Sequence, residues 1–201
     1  MKPMFLFALL CTVATPLSAK PVVGEPAPAF SAIDSHGKTH ALADYAGKTV
    51  VLEWSNPECP FVRKHYGAGN LQKQQGDATA HGVVWLTVNS GAPGKQGHFD
   101  AAGANAWIAK VGSKASAYLI DGDGKVGHAY DAKTTPHLYV IDGGGVLRYM
   151  GGIDSIQSAD PDDIAKATQY VPRALAELAA GKAVSAPTSE PYGCSVKYGA
   201  P

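Results

Sequence analysis

Val50-Val51-Leu52-Glu53-Trp54-Ser55-Asn56-Pro57-Glu58-Cys59-Pro60-Phe61-Val62-Arg63-Lys64-His65 is the stretch whose reading decides the fold. Its opening, Thr49 to Trp54, is a nearly unbroken apolar, β-branched run, the pattern of a strand covered on both faces. A helix can start after Cys59, so the thiol stands at a strand-to-helix seam. At a helix N-terminus the first N–H groups lack intrahelical partners and the helix dipole is positive, which favours thiolate over thiol. Arg63 and Lys64, one turn on, act in the same sense. The competing reading is a buried, inert thiol, as free cysteines often are.

Outward from this seam, Val83 to Val88 reads as a second buried strand, and the crossover from Pro60 to Ala80 implies that the two are parallel. Gly67-Ala68-Gly69-Asn70 is expected to break that crossover. Ala29 to Ile33 and Thr39 to Leu42 flank Ser35-His36-Gly37-Lys38 as a hairpin does. Asp100 is the expected cap of a helix whose apolar face is Ala104, Trp107, Ile108 and Val111. His137 to Ile141 and Val146 to Met150 read as a hairpin across Asp142-Gly143-Gly144-Gly145. Apolar residues from Ile164 to Leu178 recur at helical spacing, with Gly181 as the stop and Pro172 as an expected kink. Asp121-Gly122-Asp123-Gly124-Lys125 lacks the acidic ligands of a calcium loop and reads as a hairpin turn.

Lys2, the apolar run Met4 to Val13, and the small residues ending at Ala19 read as a secretory leader. The run is about ten residues, short of the roughly 20 that span a bilayer. The division expected is therefore 1–19 signal peptide, 20–182 globular domain, and 183–201 an irregular tail. Secreted or periplasmic placement follows, with no membrane attachment after cleavage. Cys11 leaves with the leader, so the mature chain keeps Cys59 and Cys194 in a compartment where a disulfide persists.

The 201 residues carry 17 basic and 17 acidic side chains. This even balance gives nucleic acid or anionic lipid no electrostatic handle. The seven histidines are scattered without metal-ligand spacing, and no metal or cofactor is expected.

The order strand, cysteine at a helix start, strand, helix, then Thr134-Thr135-Pro136 leading into a hairpin and a last helix resembles the thioredoxin fold over most of residues 22 to 182. This is an α/β fold, a central mixed sheet flanked by helices, here with an N-terminal hairpin and an insertion after the second core strand. Gly24-Glu25-Pro26-Ala27-Pro28-Ala29-Phe30, the Cys59-Pro60 pair and the Val88 to Val111 insertion are similar to the redoxin branch, the alkyl hydroperoxide reductase/thiol-specific antioxidant group. Within it, the chain resembles peroxiredoxin-like proteins that keep a single active-site cysteine.

The resemblance implies roles. Cys59 is the nucleophile, with Arg63 steadying its thiolate. Thr135-Pro136 is implied to be cis, with Thr135 exposing backbone for an extended substrate. Glu53, six residues before Cys59, matches the buried acid of thioredoxins; its pKa should rise and let it relay a proton. A solvated, edge-facing glutamate is the alternative. Two departures stand out. Val62 occupies the place of the second cysteine of C-x-x-C, and Asn56 stands where peroxiredoxins carry Thr or Ser.

Cys194 is the candidate resolving thiol, against a permanent clasp with Cys59 or an unpaired thiol. His65, six residues beyond Cys59, reads as a surface residue, and His137 as a candidate for tuning the thiol. The sequence thus points to an exported thiol oxidoreductase. Its partners are a peroxide or disulfide substrate, which Asn56 and Pro60 help to seat, and an unidentified thiol reductant. The alternative is a binding protein, holding copper through Cys59 and His137 or a partner's extended segment at Thr135.

Overall fold

A computed structural model of the protein describes residues 20–200; the expected leader, 1–19, lies outside them. Seven strands form one sheet: β1 (Ser31–Asp34), β2 (Thr39–Ala41), β3 (Val50–Trp54), β4 (Val84–Asn89), β5 (Ala117–Ile120), β7 (His137–Ile141) and β8 (Leu147–Gly151), in the order β2-β1-β5-β4-β3-β7-β8. The core strands β3, β4 and β5 are parallel. β7 joins β3 antiparallel, placing Glu53 opposite Leu138 and Trp54 opposite His137. Two further strands, β6 (Thr134–Thr135) and β9 (Cys194–Ser195), form a separate antiparallel pair.

Alternation along β3 sorts the two faces. Val50, Leu52 and Trp54 pack on one side with Leu86, Val88, Tyr130 and Tyr139. Val51 faces the other side with Trp85, Leu138 and Val140, where α1 (Pro60–Gly67), α2 (Asn70–Ala80) and α5 (Tyr170–Ala179) cover it through Val62, Tyr66, Leu71 and Val171. Every residue of β3 is buried, as its apolar run requires.

The break after α1 is where the glycines put it: Gly69 takes φ +73° immediately before α2, a left-handed conformation that favours Gly. Asp100 caps α3 (Ala101–Val111) by accepting from the Gly103 N–H at 2.8 Å. Three expectations need correction. The last helix begins at Tyr170 rather than near Ile164, and residues 161–163 form only a short 3₁₀ turn. Pro172 lies in the first turn of α5, where no intrahelical donor is required, and the helix continues past it to Ala179. Asp121 to Lys125 joins β5 to α4 (Lys125–Ala129) rather than making a hairpin: the Asp121 carboxylate accepts the N–H groups of Val126 and Gly127 at 3.0 and 2.9 Å.

The tail is irregular apart from β9, as expected, but it is tied down along its length. Ser189 N–H donates to the Met150 carbonyl, Val196 N–H to that of Lys133, and Ala92 N–H to that of Lys197. Tyr198 stacks on His128 and donates to the Ala132 carbonyl. Residues 187–198 are therefore strapped along the molecule.

Candidate active site

Cys59 is the N-cap of α1, with Pro60 in the first helical turn, where its missing N–H removes no intrahelical bond. Pro57 and Glu58 make the turn that delivers it: Cys59 N–H donates to the Asn56 carbonyl at 3.0 Å and Glu58 N–H to Asn56 Oδ1 at 2.9 Å. Asn56 Nδ2 donates to the Gln96 carbonyl, so both ends of that side chain are engaged in holding the loops. Cys59 is fully buried. Its Sγ lies 3.0 Å from the Thr135 carbonyl oxygen, and the Thr135–Pro136 peptide bond is cis.

β9 brings the second thiol to this place. Thr135 pairs with Cys194 and Thr134 with Ser195. Cys59 and Cys194 are both free, and the Cys194 side chain lies near enough to the Cys59 sulfur to favour its thiolate. Burial opposes ionisation of Cys59, but the Cys194 thiol, the Thr135 side chain and the N–H groups of Val62 and Cys194 together hold its pKa below the ordinary value. Cys194 moves the opposite way: burial, and then the adjacent Cys59 sulfur, push it up to about 11. The first proton lost by the pair therefore comes from Cys59, and the remaining one sits on Cys194.

Glu53 is completely buried on β3. Trp85 Nε1 and Gln75 Nε2 donate to its Oε2 at 2.8 and 3.0 Å, and the Tyr66 hydroxyl donates to Oε1 at 3.0 Å. Burial raises its pKa to about 7 despite these donors. The solvated-edge alternative is thereby excluded.

Arg63 is exposed, and its Nε donates to the Pro57 carbonyl at 3.0 Å. Lys64 turns inward: its fully buried ammonium reaches the Ser158 carbonyl at 3.0 Å and Asp154 Oδ2 at 3.8 Å. His65 is not a surface residue but is fully buried between Asp154 and Asn70; burial lowers its pKa to about 4. The surface reading failed because α1 is covered on that side by the tail, through Tyr192, whose hydroxyl donates to Asp154 Oδ1 at 2.5 Å. His137 is buried against Tyr139, and burial lowers it to about 4, so it is neutral at pH 7 and lends the thiol no charge. Among the described residues no cluster of three or more His, Cys, Asp or Glu is placed to hold a metal ion, and no helix is long and apolar enough to cross a membrane.

The sequence reads Lys64 only as a cation beside the thiol and does not point to Asp154 or Tyr192; the three together anchor the tail beneath α1. Its one available signal was the aromatic-Gly-Cys run Tyr192-Gly193-Cys194.

A mixed sheet with a cysteine heading the helix after its central strand, faced by a cis-proline segment, defines a thioredoxin-fold thiol site. Solved structures share the architecture. A hypothetical protein from Sinorhizobium meliloti 1021 superposes with a TM-score of 0.75 at 23% identity, covering 91% of this chain and 98% of that one. The thioredoxin domain of a thiol-disulfide oxidoreductase from Bacteroides vulgatus gives 0.52 at 19% identity, covering 72% and 96%. The chain belongs to the AhpC/TSA family, which it matches over residues 23–150. It is also 30% identical over 131 residues to the thiol:disulfide interchange protein DsbE of Yersinia pestis, covering 64% of this chain and 63% of that relative's length.

Proposed function

We propose that this protein is an exported thiol–disulfide oxidoreductase whose redox couple is Cys59 and Cys194. One observation carries the reading: Cys194 is paired in register with Thr135, whose carbonyl oxygen lies 3.0 Å from the Cys59 sulfur. Cys59 thiolate attacks a substrate disulfide, forms a mixed disulfide and expels one substrate thiolate. Cys194, once deprotonated, attacks Cys59 Sγ and releases the second thiolate, leaving a Cys59–Cys194 disulfide for an external dithiol to reduce. Glu53, poised near neutrality, exchanges protons with the site, Arg63 supplies positive charge near the head of α1, and Pro60 and Asn56 shape the loop that presents the sulfur.

The relatives named as thiol:disulfide interchange proteins support disulfide over peroxide as the oxidant. So does Asn56, which has no hydroxyl and whose amide is committed to the loops. Turnover of a small disulfide with a dithiol reductant tests the proposal. The wild type should cycle, while Cys59→Ser should be inactive and Cys194→Ser should accumulate a Cys59 mixed disulfide. Cycling by Cys59→Ser at the parental rate would overturn it.

A further inference from the structure

α2 and α5 both pack on the Val51 face of the sheet, yet they leave a cleft between them. Gln74, Ala78 and His81 recur at helical spacing along one side of α2; Leu175, Ala176 and Ala179 face them from α5, and the cavity they enclose measures about 660 Å³. Three of these six residues are alanines, which leave the space that longer side chains would fill. Trp85, fully buried on β4, forms the inner wall. The volume lies in the range of small-molecule sites, about 300–1,000 Å³. Neither Cys59 nor Cys194 lines it.

The buried polar atoms around this cleft leave one acceptor unmatched. Trp85 Nε1 is committed to Glu53. Gln74 is buried, and its Nε2 donates to Gln169 Oε1 at 2.9 Å. Gln169 fixes that orientation, because its own Nε2 donates to the Ile164 carbonyl and leaves an acceptor facing Gln74. Gln74 Oε1, at the other end of the amide, is buried without a partner. A buried acceptor left unmatched is costly, so the cleft calls for a donor. It does not call for an anion, since Asp77 and Asp142 line it and no Lys or Arg does.

We propose that the cleft between α2 and α5 binds a small, uncharged, apolar molecule carrying one N–H or O–H group, which donates to Gln74 Oε1 while the apolar body lies against Trp85, Leu175 and the alanines. This site is separate from the thiol pair, and its ligand need undergo no chemistry there.

The test titrates N-phenyl-α-naphthylamine, an uncharged apolar fluorophore with a single N–H, into the reduced full chain. Its N-methyl derivative and the anionic anilinonaphthalene sulfonate are the comparison probes. The amine should bind as a single molecule per chain with a saturable rise in emission. Methylation should weaken binding about fivefold or more, the effect of one hydrogen bond to a buried acceptor, and the sulfonate should bind more weakly than the amine. Gln74→Met keeps the side-chain length and removes the acceptor, so it should bring the amine and its methyl derivative to equal affinity. Ala176→Trp, at an exposed position on α5, should fill the cleft and abolish binding of both without disturbing the core. No saturable binding, or binding that survives Ala176→Trp, would overturn the site. Equal affinity of the two probes for the parent, or the same methylation loss in Gln74→Met, would overturn the role of Gln74. Sedimentation of the parent and Ala176→Trp checks the other occupant: a dimer that Ala176→Trp dissociates would assign the cleft to a second copy of the chain and overturn the proposal. None of these readouts passes through Cys59 or Cys194, so the result is independent of the thiol couple.

Discussion

Replacing Glu53 by Gln tests the electrostatics beneath the site quantitatively. Burial carries this carboxyl from its ordinary 4.5 to about 7 in the folded chain. At about 1.4 kcal/mol per pH unit, that gap makes the folded state lose about 3 kcal/mol as the group ionises. The sign follows from the raised pKa: the native state binds the proton more tightly than the unfolded chain. The stabilisation is therefore complete below 4.5 and is lost as pH rises through about 7. Gln does not titrate, and it keeps most of the packing: its carbonyl can accept from Trp85 and Gln75, and the Tyr66 hydroxyl can rotate to accept from its amide. Urea unfolding of the two proteins at matched pH isolates the effect, because other titrating groups such as His65 and His137 cancel in the difference. Between about pH 4 and pH 8 the parent should lose about 3 kcal/mol relative to Glu53→Gln, a relative midpoint shift on the order of 1–2 M urea. A difference that stays flat within about 0.5 kcal/mol across that range would show that Glu53 is not held protonated by burial. The same substitution should flatten the pH dependence of thiol turnover near neutrality, and an unchanged profile would remove Glu53 from proton handling.

Alkylation of Cys59 against pH should give a midpoint below that of an ordinary thiol, and Cys194→Ala should raise it by removing a donor to the sulfur; a midpoint unmoved by the substitution would contradict the coupling. Tyr192→Phe leaves the buried Asp154 carboxylate short of a donor and should cost about 1–3 kcal/mol in urea unfolding; no loss would mean that the strap is not anchored there. Lys64→Ala strands the Asp154 charge in the interior and should cost about 3–5 kcal/mol, whereas a surface-like cost of under about 0.5 kcal/mol would place Lys64 in solvent.

The sheet was legible because its signals are local. The apolar run from Thr49 to Trp54 can lie only in a buried strand, and the glycines at 67 and 69 punctuate the crossover where the chain divides α1 from α2. Cys59 at the helix start and the Thr135–Pro136 segment could likewise be placed, the first from pattern and the second from resemblance. Long-range placement could not. His65 and Lys64 look like exposed helical residues until Tyr192 of the tail, more than a hundred positions away, covers them. Pro172 reads as a kink only if the helix starts too early. The tail carries no long periodic run, so its two-residue pairing with Thr134–Thr135, held by side-chain contacts to Asp154 and His128, could not be read from its own sequence.

The central claim is that Cys59 and Cys194 form one redox couple, and a peptide map of the mildly oxidised protein tests it most directly. The reduced full chain is treated with about one equivalent of a small disulfide, quenched in acid, digested without reductant and read by mass spectrometry. The account predicts a peptide joining Cys59 to Cys194 within one chain, which disappears when a dithiol is added before digestion. A persistent small-molecule adduct on Cys59 with Cys194 left as a free thiol would contradict it.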